Sequence, residues 1–337
     1  MRFECGCSDI EKAHSFRLAV IVPFYKSYGH AKPTFSTIAK IQDHFGISAK
    51  TVVVLDGPDE VLREEIELGA NEFRNLDITL VELAKNFGVG PAIRAGLSRS
   101  EACGVVCFGS DGQEPLSLLL DLSHEALQDE NRLALGTRIN RGGDPLLAYF
   151  TSRLYWRFAS SVLRLDVPAG GIDVFSCGSR VARAILGMGG LRANFTSTLL
   201  SVGFSPKFFE FERLPRISGN SAWTFSRRVS LFLDSAIDGS EMPIRFISVA
   251  GFMWALVSSI LMVGTVVERL LGNVEVPGYT TILLVLSTGL GLTILSLGIV
   301  GEYLVRAFMY ARGNPVFVEK SVLRLNSDRH ASGGGGE

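Results

Sequence analysis

Three short stretches of this 337-residue chain come directly after runs of apolar, β-branched residues, and two of them carry acids and glycines. They read Pro23-Phe24-Tyr25, Asp56-Gly57 and Gly109-Ser110-Asp111-Gly112-Gln113-Glu114-Pro115. A carboxylate at a strand end can accept hydrogen bonds from a nucleotide base or ribose, or hold a divalent cation against a pyrophosphate. Asp56 and Asp111 are the two such carboxylates, and they are expected to end neighbouring strands of one sheet. Asp-Gly is equally the composition of a tight turn, and Asp111 has the chemistry of a helix cap. Further along, Arg213 and Arg216 stand three apart at the end of KFFEFERLPR. A planar guanidinium fork binds phosphate oxygens bidentately, whereas a lone arginine is more often a solvated surface charge.

Such residues need elements to position them. Residues 17–23 (RLAVIVP), 51–55, 78–83, 105–108 and 132–135 are short apolar runs that predict strands. Between them, residues 31–45, 58–73, 91–100 and 115–130 carry helical periodicity. Pro33, Pro58, Pro91 and Pro115 lie at or near the helix starts, where a missing N–H costs nothing. Strand alternating with helix predicts an α/β domain with a mostly parallel sheet covered on both faces. Ligands of such sheets bind beyond the carboxyl ends of the strands, where the three polar stretches fall.

A second region has a different composition. Residues 246–267 and 276–301 are runs of 22 and 26 residues without a charge, each long enough to cross a bilayer as a helix. Only residues 268–275 separate them, which predicts a hairpin with both ends on one side. Arg227, Arg228, Arg245, Arg306, Arg312 and Lys320 flank that side, which makes it the cytoplasmic one. Before the first run, residues 224–239 put Phe225, Val229, Phe232, Leu233 and Ala236 on one stripe, as in a helix lying on a bilayer or docked on the domain. The implied organisation is an extension (1–16), an α/β domain (17–223), a juxtamembrane segment (224–245), two transmembrane helices (246–267, 276–301) and a cytoplasmic tail (302–337). A net charge of −1 and a pI near 6.5 provide no basic field for nucleic acid. Cys5 and Cys7 lack a second pair to complete a metal site, so the five cysteines read as reduced thiols. The N-terminus has no apolar run, so no cleavable signal is expected.

The order VPFY, VVVLDG, KNFGVGPAIRAGL, SDGQEP resembles glycosyltransferase family 2, whose domain has the GT-A fold. With GTRINRGGDP, TSRLYWRF, VPAGGIDVF, ERLPRISGNSAWTF, MPIR, GEYL and RGNPVFV, the chain is similar to the polyprenyl-phosphate glycosyltransferases. These include dolichyl-phosphate mannose synthase and the bacterial undecaprenyl-phosphate glucosyltransferases. The resemblance spans residues 17–318.

That resemblance implies roles. Asp56 would contact the nucleotide base, with Pro23, Tyr25, Lys85, Asn86 and Gly88 shaping its pocket; Lys85 stands where arginine is usual. Asp111 and Gln113 would hold Mg²⁺ or Mn²⁺, although Gly109 replaces the first aspartate of the usual Asp-x-Asp-x-Gln. Glu114 can assist from the next turn, or serve only as an acid in the first turn of a helix. Asp173 matches an aspartate near the acceptor phosphate. Arg138, Arg213, Arg216 and the loop containing Ser221 would grip phosphates, with Asn220 where lysine is common.

The implied reaction is inverting transfer of a hexose from a nucleoside diphosphate sugar, UDP-linked first, to a polyisoprenyl phosphate such as undecaprenyl phosphate. Such an enzyme is expected in a bacterial inner membrane, serving surface glycans and assembling as a homo-oligomer, a tetramer in similar proteins. A lipid-linked saccharide as acceptor, or a catalytically impaired nucleotide-sugar-binding subunit, are the alternatives.

Overall fold

The structure, a computed structural model, describes residues 16–139, 172–188, 195–214, 278–311 and 315–326, with scattered positions between 247 and 271. The chain divides into two compact units, Met1–Val229 with Pro315–Glu337, and Ser230–Asn314. In the first unit, β1 (Phe16–Phe24), α1 (Ala31–Phe45), β2 (Ala49–Leu55), α2 (Glu60–Glu72) and β3 (Asp77–Leu83) alternate in order. They are followed by α3 (Val89–Ser98), β4 (Ala102–Cys107), α4 (Leu116–Gln128) and β5 (Leu133–Arg138). Beyond these come β6 (Ile172–Gly178), α5 (Ser179–Gly187), α6 (Phe195–Ser201), β7 (Pro206–Phe211) and β8 (Glu319–Arg324).

The strands form one sheet in the order β7-β5-β6-β4-β1-β2-β3-β8. Strands β4, β1, β2 and β3 are parallel neighbours, while β6 and β8 each pair antiparallel. The expected mostly parallel α/β sheet is therefore present, with two reversed strands that the alternation did not foretell. One expectation is corrected. The strands that lead into Asp56 and Asp111 are β2 and β4, and β1 lies between them with a parallel ladder on each side.

Alternation along β1 explains why helices cover both faces. Leu18, Val20, Val22 and Phe24 enter one core with side chains of α1, α2 and α4. Ala19 and Ile21 enter the other, with α3, α5 and α6. Successive strand residues point to opposite faces, so a strand buried on both sides reads as a continuous apolar run. Gly96 lets α3 approach: a Cβ there would stand 2.3 Å from Cγ2 of buried Ile21.

Within the stretch expected as a tail, residues 319–324 form β8, which pairs with β3 at the sheet edge. Buried Glu82 of β3 accepts from Lys320 Nζ at 2.7 Å and Ser321 Oγ at 3.0 Å. Burial pushes the Glu82 carboxyl up, but these bonds and the nearby Arg63 guanidinium hold it below its ordinary value. Arg99 grips Glu319 with two hydrogen bonds, and Ala84 N donates to Val318 O at 2.9 Å. The segment following the apolar region is thus part of the sheet.

In the second unit, α7 (Tyr279–Ala311) is a 33-residue helix, roughly 50 Å long at 1.5 Å per residue. Its window Thr288–Val305 has mean hydropathy 1.5 and no buried share, making α7 the one helix among the described residues long and apolar enough to cross a membrane. The other expected span, 246–267, is described at just over half of its positions, all of them helical, whereas the connector 268–275 apart from Leu271, the stripe 224–239 and Cys5 and Cys7 lie outside the described residues. Cys103, Cys107 and Cys177 are buried and form no disulfide.

Replacing Gly96 with alanine tests the helix–strand contact. Overpacking a rigid core costs about 1–3 kcal/mol, more than the roughly 1 kcal/mol an alanine gains in a helix. A lowered urea midpoint is the expected outcome, and an unchanged or raised one would show that Ile21 yields freely.

Candidate active site

The loops that leave β1, β2, β3 and β4 lie at one edge of the sheet, and their contacts are mutual. Asp56 is buried, and its carboxylate accepts from Phe87 N at 2.7 Å and Gly88 N at 2.9 Å. Charge-assisted bonds of this kind are about twice as strong as neutral ones, so Asp56 locks the segment after β3 to the end of β2. Gly57 permits the approach: its φ is +103°, and a Cβ there would stand 2.8 Å from Asn86 N. Within the locked segment Lys85 and Asn86 are exposed, and Lys85 Nζ lies 5.1 Å from the Phe87 ring centroid. Gly88, with φ +95°, turns the chain into α3 as its N-cap. Near the end of β1 Pro23 is half-buried, and Tyr25, directly after the strand, is exposed. Ser110 Oγ donates to Ser27 Oγ at 2.9 Å, joining the β1 and β4 loops.

On the other side of β1 the charged residues pair. Arg213, just past β7, donates to Asp111 Oδ2 from Nη2 at 3.3 Å. The neighbouring turn is held by two further bonds, Leu214 N to Gln113 O at 2.9 Å and Gln113 Nε2 to Leu214 O at 3.1 Å. Arg138, at the end of β5, grips Asp173 of β6 with both Nε and Nη2, the latter at 2.7 Å. Pairing is what permits these charges to be half-buried together, since an isolated buried charge is costly. Of the expected residues, the structure gathers Asp56, Lys85, Asn86 and Gly88 into one group, and Asp111, Gln113 and Arg213 into a second. Arg138 and Asp173 form a third. Arg216 and Ser221 lie outside the described residues.

Glu114 was read from the sequence as a possible assistant or a first-turn acid. It precedes α4 and is only 8% exposed. Burial, then the adjacent Asp111 charge, push its carboxyl up to about 8, against a lesser opposing effect of Arg213. One of its oxygens, Oε2, is buried without a hydrogen-bond partner. The one sequence signal for it was an acid directly after Asp111-Gly112-Gln113.

Whether a divalent cation suits this place can be judged from the donors. Asp111, Gln113 and Glu114 offer hard oxygens of the kind Mg²⁺ and Mn²⁺ prefer, and one Glu114 oxygen is buried without a hydrogen-bond partner. No group of three or more His, Cys, Asp and Glu that could hold a metal ion occurs among the described residues. These donors would fill part of such a cation's shell and leave the remaining positions to water or a bound group.

Glu114 also makes a stability prediction for the metal-free protein. Unfolded, it ionises near 4.5; folded, near 8. Between these values the folded state keeps a proton that the unfolded state has lost, so this residue makes stability fall as pH rises from about 5 to 8. In EDTA, Glu114→Gln is expected to raise Tm by a few degrees at pH 8 and to change it little at pH 4.5. Equal effects at both pH values would contradict the assigned burial.

Residues 19–186 match the family Glycosyl transferase family 2. An uncharacterized glycosyltransferase of a Synechocystis species is 24% identical over 306 residues, 90% of this chain and 95% of that protein. The uncharacterized glycosyltransferase YkcC of Bacillus subtilis is 22% identical over 323 residues, 93% of this chain and 98% of that protein. A prophage-derived bactoprenol glucosyl transferase of Shigella flexneri is 23% identical over 313 residues, 92% of this chain and 99% of that protein. The family match runs from β1 into α5 and holds every described site residue except Arg213. The chain belongs to glycosyl transferase family 2 and is a glycosyltransferase.

Proposed function

We propose that this glycosyltransferase moves a hexose from a nucleoside diphosphate sugar, UDP-linked first, to a polyisoprenyl phosphate at a membrane face. The observation that carries this reading is the relative named bactoprenol glucosyl transferase, which aligns with 92% of this chain. An alignment that long takes in the apolar region as well as the sheet domain.

The site chemistry supports it. The Lys85–Gly88 segment, locked by Asp56, presents exposed lysine and asparagine side chains for a base, ribose or phosphate. Asp111 and Gln113 would hold Mg²⁺ or Mn²⁺, which when bound neutralises charge on the departing diphosphate. Arg213 and Arg138 supply fixed positive charge for phosphate oxygens, Arg213 beside Asp111 and Arg138 beside Asp173. A phosphate acceptor is already ionised near neutral pH, so no general base is required of Asp173. Its oxygen forms the new bond at the anomeric carbon as the sugar–diphosphate bond breaks, and one displacement inverts the configuration.

Topology supports a membrane hairpin. The chain leaves the sheet unit after Val229 and rejoins it at Pro315 as β8. If it crosses a bilayer in between, it crosses an even number of times, and α7 supplies only one passage. The described positions from 247 to 267 are helical, and Val249, Phe252, Ile260 and Val263 are exposed there. A Cβ at Gly289 of α7 would lie 3.3 Å from Trp254 Nε1, so this earlier segment packs beside α7. Small residues at such contacts let membrane helices approach closely. The positive flanks support a reading in which the sheet domain faces the cytoplasm.

The direct test is to supply the purified full chain with labelled UDP-glucose and undecaprenyl phosphate in detergent. Labelled lipid is the expected product, and its absence with every common nucleoside diphosphate sugar would overturn the reading. Asp111→Asn is expected to lower kcat by about a hundredfold or more. Gly57→Ala, which forces a Cβ onto Asn86 N, is expected to raise the donor KM about tenfold with a smaller change in kcat. A Gly57→Ala enzyme with unaltered donor KM would remove the 85–88 segment from the donor site.

A further inference from the structure

Beside Gly109 is a gap bordered by two carboxylates. A Cβ on Gly109 would stand 3.2 Å from Asp111 Oδ1 and 3.5 Å from Glu114 Oε1. Gly109 itself is not among the glycines with positive φ, so nothing in its backbone requires glycine. Glu114 is more than nine-tenths buried, and its second oxygen has no hydrogen-bond partner. Leaving a buried acceptor unmatched costs roughly 1–3 kcal/mol, and bringing a second carboxylate towards Asp111 adds repulsion. Both penalties disappear when a cation sits between the two groups.

We propose that Glu114 is a direct ligand of the divalent cation, reaching with Asp111 into the gap left by Gly109. This assignment rests on the reading of the site as one that binds a cation beside a diphosphate. It gives the site two protein carboxylates where the motif itself offers only Asp111. Two carboxylates with phosphate oxygens and water make a sufficient shell for Mg²⁺ or Mn²⁺. The competing role for Glu114 is counter-ion to Arg213, whose Nε is also buried without a hydrogen-bond partner. That role predicts no loss of metal affinity when Glu114 is neutralised.

The two roles separate in a binding measurement that needs no turnover. Free Mn²⁺ is followed by its electron paramagnetic resonance signal during titration of the full chain in detergent, with and without UDP. Glu114→Gln is expected to weaken Mn²⁺ binding by more than the roughly tenfold that losing an outer-shell partner of a metal ligand typically costs. The double variant G109D/E114Q places a new carboxylate in the same gap and is expected to recover most of that loss. Unchanged Mn²⁺ affinity in Glu114→Gln, or no Mn²⁺ binding by the wild-type chain in either condition, overturns the proposal. So does failure of the double variant to recover affinity while its Tm matches the wild type. The sugar-transfer assay is independent of these outcomes: transfer with unaltered Mn²⁺ affinity in Glu114→Gln rejects this assignment and leaves the proposed function standing. Loss of Mn²⁺ affinity without transfer of any sugar does the reverse.

Discussion

Strand β1 has a hydrogen-bonded parallel neighbour on each side and an apolar core against each face, so no part of its central run meets water. A strand in that position tolerates no polar side chain before its carboxyl end. The chain's chemistry is therefore displaced to the loops where the strands emerge, and the parallel arrangement of β1, β2, β3 and β4 brings those loops to one edge. Asp56 and Asp111 stand on either side of β1 for this reason. Each then recruits a partner from a distant part of the chain: Asp56 the backbone of Phe87 and Gly88, Asp111 the guanidinium of Arg213.

The two sides of that edge differ in their electrostatics. Around Asp56 the carboxylate is satisfied by backbone N–H groups, and its effect is to fix a segment whose Lys85 and Asn86 remain open to solvent. Around Asp111 and Asp173 acids and arginines are interleaved, and Glu114 is brought among them with its proton retained. Burying a carboxyl beside another carboxylate works against folding, and groups held at such expense tend to mark functional sites. The pairing of Arg213 with Asp111 and of Arg138 with Asp173 keeps this cluster near electrical balance.

The sheet also accounts for how the apolar region is joined to the catalytic domain. Glu82 sits on a central run of apolar residues and would be out of place there without Lys320, Ser321 and Arg63. Because β8 follows α7, the chain returns to the sheet after the apolar region. Val318 and Glu319 meet β3 at Leu83 and Ala84, immediately before the Lys85–Gly88 segment.

Much of this was legible from local pattern. Apolar runs and helical periodicity located β1 to β5 and α1 to α4 within a few residues, because burial on both faces imposes an unbroken apolar run on a strand and a 3.6-residue period on a helix. Charge-free length marked α7, and residue order identified the family through Asp56, Asn86, Asp111 and Gln113. Strand order was not legible, because pairing partners are chosen by the three-dimensional path: β1 separates the two acidic strand ends, and β8 reaches the sheet from more than two hundred residues away. Nor was the environment of a side chain. Arg94 lies on a helix that reads as amphipathic, yet it is buried and donates to Ile185 O and Thr198 Oγ1. For Glu114 the sequence left open a part beside Asp111 and Gln113 or that of an ordinary acid at a helix start. Its nearness to Asp111 and Gly109 is local, but its burial and the charges of Arg213 and Asp173 around it come from the packing of distant segments, because desolvation is a property of space and not of sequence distance.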